Sequence, residues 1–504
     1  MPVPYHVQAP APWRRWLWRS GTRLAWTVAI VALLLLAVVL ATAFAARSLP
    51  PLQAWHRIEL PEPDAAALRT MDWDAYLRAE QALFERKARE MAATARPGRY
   101  RYDLGSALGA PPGTRDWNRS YASTPREPRG GVLLLHGLSD SPYSLHHLVA
   151  LYEAQGYAVV LPRMPGHGTV PSGLRHAQWM DWLAATELGA RELRRRIGDE
   201  RPLHIVGYSN GGALALKYTM DRLDLGGQDP ALPMPDRLVL VSPMIGVGRM
   251  AAFSRLMPVL GWIPYFEKSR WLDVQPEFNP FKYNSFPVNA VQQSWLLTGA
   301  VKSQLLALQA SGRSQRMPPV LSFQSVLDST VSTPDVVRAL YDRLPANGSE
   351  LVLFDINRQS LLAPMFTAGA NELLGTLEPG DAHDYRLTVL RNRDAGTLSL
   401  AESRLEPGAT APSSRPLDLA WPADVYSLSH VALPFPTDDP LYGLQPRAVP
   451  DYGIRLGTLS LHGERGALSV SAEQWQRIGS NPFFSYLEGR VGEVVVADAQ
   501  RAPK

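Results

Sequence analysis

The hydrophobic pattern changes period several times along the chain, and each change marks a different kind of element. The first apolar block is continuous: residues 24–46 (LAWTVAIVALLLLAVVLATAFAA) hold no charge and no proline. As a helix rising about 1.5 Å per residue, the block is long enough for the roughly 30 Å hydrocarbon layer of a bilayer. Residues 72–94 place Tyr76, Leu77, Leu83, Phe84 and Met91 among charges, which predicts an amphipathic helix. Residues 96–129 turn to Gly, Pro, Arg and Ser, and read as loops with a short strand around 100–104. From Gly130 onward, short apolar runs at 132–135, 157–161, 203–206, 237–241, 319–327 and 351–355 alternate with polar loops and helical stretches such as 144–155 and 177–197. Fully apolar runs of strand length alternating with helices predict an α/β fold, a mostly parallel sheet with helices on both faces.

Charge adds an orientation. The chain has 51 Lys+Arg against 47 Asp+Glu, and Arg14, Arg15, Arg19 and Arg23 precede the apolar block with no acid among residues 1–23. The rest is balanced, so the basic excess predicts an anchor and not a nucleic-acid surface. Arginines before a first span keep that side in the cytoplasm, and Trp13, Trp16, Trp18 and Trp26 suit an interfacial belt. The expectation is a single-pass signal-anchor in the inner (cytoplasmic) membrane, with the bulk of the chain on the periplasmic or extracytoplasmic side. Ala43-Phe44-Ala45 leaves a cleaved signal peptide as the alternative. The absence of cysteine excludes a disulfide scaffold, a thiolate metal site and a cysteine nucleophile.

The chemistry concentrates after the run 203–206. It leads into Gly207-Tyr208-Ser209-Asn210-Gly211-Gly212 and then a helix-forming stretch, ALALKYTMDRL. This is G-x-S-x-G in a strand–turn–helix context, which lifts a serine hydroxyl above a sheet at a helix N-terminus. Ser209 is the candidate nucleophile. Flanking glycines let strand and helix approach closely. His136-Gly137-Leu138 supplies a second glycine turn after a strand, so the N–H groups of Leu138 and Asn210 are the candidate oxyanion donors; His136 itself reads as structural. Asp328, ending the run 319–327, is the candidate acid. The base must follow it in the chain. His430 is chosen over His383 and His462 on order and loop context, since His383 opens a hairpin-like stretch and is expected to face solvent. That choice implies an insertion at 359–419.

HGLSDSPYS (136–144), LPRMPGHGT (161–169), GYSNGG (207–212), Asp328 with its strand and SLSH (427–430) together resemble the α/β-hydrolase superfamily. The closest group is the carboxylesterase and monoacylglycerol-lipase group, which merges into the serine aminopeptidase-like hydrolases. The resemblance implies an α/β-hydrolase fold with a helical cap at 243–317, and structural roles for His167 and Trp182. The organisation is then a basic tail 1–23, transmembrane helix 24–46, N-terminal extension 47–128, core 129–242, cap 243–317, core 318–358, insertion 359–419, base-bearing loop 420–445 and C-terminal extension 446–504. The cap is rich in Met and aromatic residues, which suits an apolar ester. The expected activity is therefore a membrane-anchored serine esterase acting on an acyl ester or monoacylglycerol-like substrate through Ser209, Asp328 and His430. An aminopeptidase would use cap acids Glu267, Asp273 and Glu277; a non-catalytic membrane-tethered binding module is the third reading. No metal or organic cofactor is expected, because no H-E-x-x-H, P-loop or dinucleotide fingerprint is present.

Overall fold

The computed structural model describes residues 47–94, 96–224, 232–246, 264–377, 383–459 and 476–501, with scattered positions between 26 and 44. A short helix, α1 (Ala65–Thr70), and a long one, α2 (Trp73–Thr94), precede the sheet. Then come β1 (Tyr121–Ser123), β2 (Gly130–Leu135), α3 (His146–Ala154), β3 (Tyr157–Leu161), α4 (Trp179–Ile197), β4 (Leu203–Tyr208), α5 (Asn210–Asp224) and β5 (Arg237–Val241). The stretch up to the next core strand holds β6 (Trp271–Asp273), β7 (Phe286–Pro287) and α6 (Val288–Ala310). The chain continues through β8 (Val320–Ser325), β9 (Glu350–Phe354), α7 (Ala368–Leu377), β10 (Arg386–Asn392), β11 (Ser399–Leu405), β12 (Ser413–Ala420) and α8 (Phe484–Arg501).

Ten strands form one sheet in the order β1-β3-β2-β4-β5-β8-β9-β10-β11-β12. From β3 to β10 neighbouring strands run parallel; β1 at one edge and β11 and β12 at the other are antiparallel. Strand periodicity splits the core into two layers. Leu133, Leu135 and Ile205 face the layer that includes Trp182, Leu214 and Leu297 of α4, α5 and α6. Val132, Leu134 and Val206 face the other, built on Leu148 of α3 and on Leu487, Val491 and Val495 of α8. Covered on both faces, these strands need no polar alternation, which is why they read as continuous apolar runs.

One sequence expectation changes here. Residues 100–104 form turns, not a strand, with only an isolated bridge between Pro97 and Leu104. Asp103 Oδ2 accepts the Tyr100 N–H at 2.9 Å, a local side-chain turn that competes with strand pairing. The stretch read as an insertion, 359–419, holds α7 and adds β10, β11 and nearly all of β12 to the sheet. The stretch 446–504, expected as an extension, contains α8, which is part of the core. Asp498 of α8 pairs with Arg237 of β5 and with His204 of β4 at 3.1 Å.

The N-terminal extension packs on the loop after β3 through a buried ion cluster. Arg163 donates to Glu80 of α2 at 3.1 Å and to Glu62 at 2.7 Å, and the Tyr76 hydroxyl donates to the Arg163 carbonyl. The basic tail and most of the 24–46 block lie outside the described residues. The described positions Trp26, Val28, Ile30, Leu33, Leu36 and Phe44 are all exposed. Among the described residues no helix is long and apolar enough to cross a membrane.

Candidate active site

β4 ends at Tyr208 and α5 begins at Asn210, leaving Ser209 alone to make the turn at φ 53°. A non-glycine residue in this left-handed region stores about 1–3 kcal/mol of strain, tolerated where the surroundings fix it. Here they do: Ser209 N–H donates to the Val241 carbonyl at 3.0 Å, and Met244 N–H donates to the Ser209 carbonyl at 2.9 Å. Gly211 shows why the motif needs glycine, since a Cβ there would lie 1.9 Å from the Leu135 carbonyl oxygen. The strain is measurable. Ser209→Gly is expected to be more stable than Ser209→Ala by about 1 kcal/mol in chemical denaturation, because only glycine adopts the turn freely. Equal stability of the two would mean that the turn is relaxed.

Asp328 lies in the loop after β8 and His430 follows the β12 hairpin. His430 Nδ1 is 3.0 Å from Asp328 Oδ2. Burial works to raise the Asp328 carboxyl, but the facing His430 and the N–H groups of Val331 and Thr330 outweigh it and hold the group below its ordinary value. Those two N–H groups donate to Oδ1, each at 2.8 Å. An ionised carboxylate requires the imidazole to carry its proton on Nδ1, which leaves Nε2 as a lone pair. Gln324 adds a fourth donor, its Nε2 3.0 Å from Asp328 Oδ2. Asp355, ending the adjacent β9, is engaged by Arg358 at 3.1 Å.

Ser209, His430 and Leu138 open on one pocket of about 480 Å³, whose walls include Phe278, Tyr283, Phe286 and Phe435. Among the described residues no hydrogen bond joins the Ser209 hydroxyl to the imidazole. Such bonds are often long without substrate and tighten when it binds. The N–H groups of Leu138 and Asn210, the expected oxyanion donors, find no acceptor among the described residues. A larger cleft of about 1050 Å³ is lined by Asp328 and His430 and shares Thr330, His430 and Arg477 with that pocket, but Ser209 does not line it.

The other histidines are otherwise engaged. His136 is fully buried; its Nε2 accepts the Met164 N–H at 3.0 Å, so its Nδ1–H donates to the Gly137 carbonyl. Burial holds His136 down to about 4. His167 Nδ1 donates to the Pro165 carbonyl at 3.0 Å, as does the Trp182 indole. His383 does not face solvent as expected: its ring stacks on Tyr385 at 4.3 Å and both ring nitrogens are buried. His462 lies outside the described residues. Of the cap acids, Glu267 pairs with Arg57 at 3.1 Å, and Glu277 is fully buried, accepting the N–H groups of Asn284 and Ser285. Only Asp273 lines the pocket. Of the cap aromatics and methionines, Met250, Phe253, Met257 and Trp262 lie outside the described residues. Trp271 packs with Leu52 and Val274, while Phe281 stacks on Tyr143 at 4.2 Å. Gln324 and the Asp140–Lys282 pair, 3.7 Å apart on the pocket wall, carry no sequence motif and were not among the expected site residues.

Residues 132–356 match the model of the alpha/beta hydrolase family. A thermostable monoacylglycerol lipase of Bacillus sp. (strain H-257) is 32% identical over 123 residues, which is 24% of this chain and 48% of the lipase. The magnesium-chelatase 30 kDa subunit of Rhodobacter capsulatus is 32% identical over 90 residues, 18% of this chain and 30% of that protein. The chain thus spans about half the length, or less, of these curated relatives. Among solved structures, one of the metagenome-derived lipolytic enzymes LipS and LipT is 21% identical with a TM-score of 0.38, covering 52% of this chain and 97% of its own. A soluble variant of the monoglyceride lipase of Saccharomyces cerevisiae is 16% identical with a TM-score of 0.34, covering 49% of this chain and 80% of its own. With its sheet order, its strained serine turn and the matched segment 132–356, the chain carries an α/β-hydrolase fold and is similar to esterase- and lipase-like hydrolases.

Proposed function

We propose that the protein is a membrane-anchored serine hydrolase of carboxylic esters, with Ser209 as nucleophile, His430 as general base and Asp328 as the carboxylate that orients it. The observation that carries the reading is the His430–Asp328 hydrogen bond at 3.0 Å, held beside the pocket that opens on Ser209. His430 Nε2 takes the hydroxyl proton as Ser209 Oγ attacks the ester carbonyl. The N–H groups of Leu138 and Asn210 receive the negative charge, each worth on the order of 2.7–4 kcal/mol of barrier. The imidazolium returns its proton to the leaving alcohol, and water then repeats the sequence on the acyl-enzyme.

The substrate class follows from the pocket wall and the relative. Phe278, Tyr283, Phe286 and Phe435 suit an acyl chain, and the matched Bacillus protein is a monoacylglycerol lipase. The apolar block 24–46 with its preceding arginines supports a tether in the cytoplasmic membrane, with the hydrolase domain on the opposite side. A panel of acyl esters of graded chain length, run against aminoacyl arylamides, tests the reading. Medium-chain esters are expected to exceed the arylamides in kcat/KM by at least 100-fold, since Glu267 and Glu277 are committed elsewhere. Preference for the arylamides would convert the reading to a peptidase. No turnover, together with no covalent labelling by a fluorophosphonate, would leave a binding module.

A further inference from the structure

His146 and His147, at the start of α3, meet Asp439 from the segment after His430, some 290 residues later. We propose that His146 Nε2, His147 Nε2 and Asp439 Oδ2 form a binding site for a divalent transition-metal ion of the zinc class. The three atoms lie within 4.8 Å of one another. Asp439 Oδ2 is 2.8 Å from His147 Nε2 and 3.7 Å from His146 Nε2. A tetrahedral zinc with bonds near 2.0–2.1 Å sets its ligand atoms about 3.3 Å apart, between those two separations.

Protons decide the matter further. His146 Nδ1 lies 2.6 Å from the Tyr143 carbonyl, which can only accept, so Nδ1 bears the hydrogen. Its Nε2 is the ring nitrogen turned toward the carboxylate oxygen. An Nδ1–H bonded to a backbone carbonyl is also the outer-shell arrangement that metal-bound histidines have.

The carboxylate is oriented for the task. Oδ1 accepts the N–H groups of Leu441 at 2.9 Å and Tyr442 at 2.7 Å, and the Tyr143 hydroxyl donates between the two oxygens, 3.0 Å from Oδ1 and 3.1 Å from Oδ2. Oδ2 also faces the histidines. Arg447, which bears on His146, is held by Asp438 at 2.6 Å. The carboxylate side chain is fully buried, whereas the histidine side chains are 15% and 17% exposed, so an ion can enter and water can complete its shell. On binding, the His147 proton passes from Nε2 to Nδ1 or to solvent. Phe435 and Tyr442, from the same segment as Asp439, line the Ser209 pocket. The ion would thus tie that wall to α3.

The test uses the untagged full chain in detergent, stripped with EDTA and dialysed. Zinc is then quantified by mass spectrometry and cobalt(II) followed by its visible absorption. One equivalent per chain is expected, with a rise in Tm as zinc is added. The double variant His146→Gln/His147→Gln is expected to lose at least tenfold in affinity. Stoichiometry below about 0.1, or undiminished binding in a folded double variant, overturns the site. If the variant fails to fold, carbethoxylation of the wild type decides: zinc must protect His146 and His147, and equal modification with and without zinc rejects the proposal. Neither readout depends on hydrolysis, so this site and the esterase reading stand or fall separately.

Discussion

Asp328→Asn is expected to lower kcat toward a preferred ester by on the order of 10⁴-fold, with KM changed far less. The hydrogen bonds force this result. Asp328 Oδ1 accepts two backbone N–H groups, from Thr330 and Val331, so the amide oxygen of an asparagine must take that place. Its NH₂ then falls where Oδ2 stood, against His430 Nδ1 and Gln324 Nε2. Two donors would meet, and the imidazole escapes by moving its proton to Nε2. In that tautomer it cannot accept the Ser209 proton. Stopped-flow or steady-state kinetics on the purified variant, with fluorophosphonate labelling slowed in parallel, checks the expectation. A loss below tenfold would show that another group orients His430.

Arg163→Ala is expected to cost about 3–5 kcal/mol of stability, because it strands two glutamates in the interior. The Arg163 side chain is 2% exposed, and those of Glu80 and Glu62 are 4% and 10% exposed. Arg163 also donates to the His167 carbonyl at 2.9 Å, so its loss loosens the loop after β3 together with the extension. Urea denaturation should show the lower midpoint, and limited proteolysis should show faster cleavage within residues 47–94. A change under 1 kcal/mol would mean that the glutamates are hydrated by rearrangement. Glu62→Gln combined with Glu80→Gln in the Arg163→Ala background should recover part of the loss, since the stranded charges are then gone.

What the sequence could reveal depended on how local the signal was. β2, β3, β4, β5, β8 and β9 follow the apolar runs closely because strands buried on both faces need no regular polar alternation. The serine turn was legible because a glycine in it answers to backbone within a few residues: a Cβ on Gly207 would lie 2.5 Å from the Gly211 carbonyl oxygen. α8 was missed although Phe484, Leu487, Val491 and Val495 recur at helical spacing; Gly489 and Gly492 weaken the pattern, and its partner face lies on distant strands. The 386–405 hairpin was readable, but its addition to the main sheet was not, since β10 pairs with β9 through backbone groups common to every residue. Gln324 gave no signal at all. It sits in β8 like any strand residue, and its role exists only because the loop after β8 turns Asp328 back over it.

The sheet ends on β12, whose side chains are mostly exposed and include Pro416, Arg415 and Asp418. Proline withholds a donor from the outer ladder, and charge discourages a neighbour from docking there. Inside it, β10 carries Leu387, Val389 and Leu390, all buried. The polar hairpin is therefore a fender: trimming it to shorten the protein would bare a greasy rim able to zip onto a second molecule, and the cost of such economy would be fibrils or precipitate.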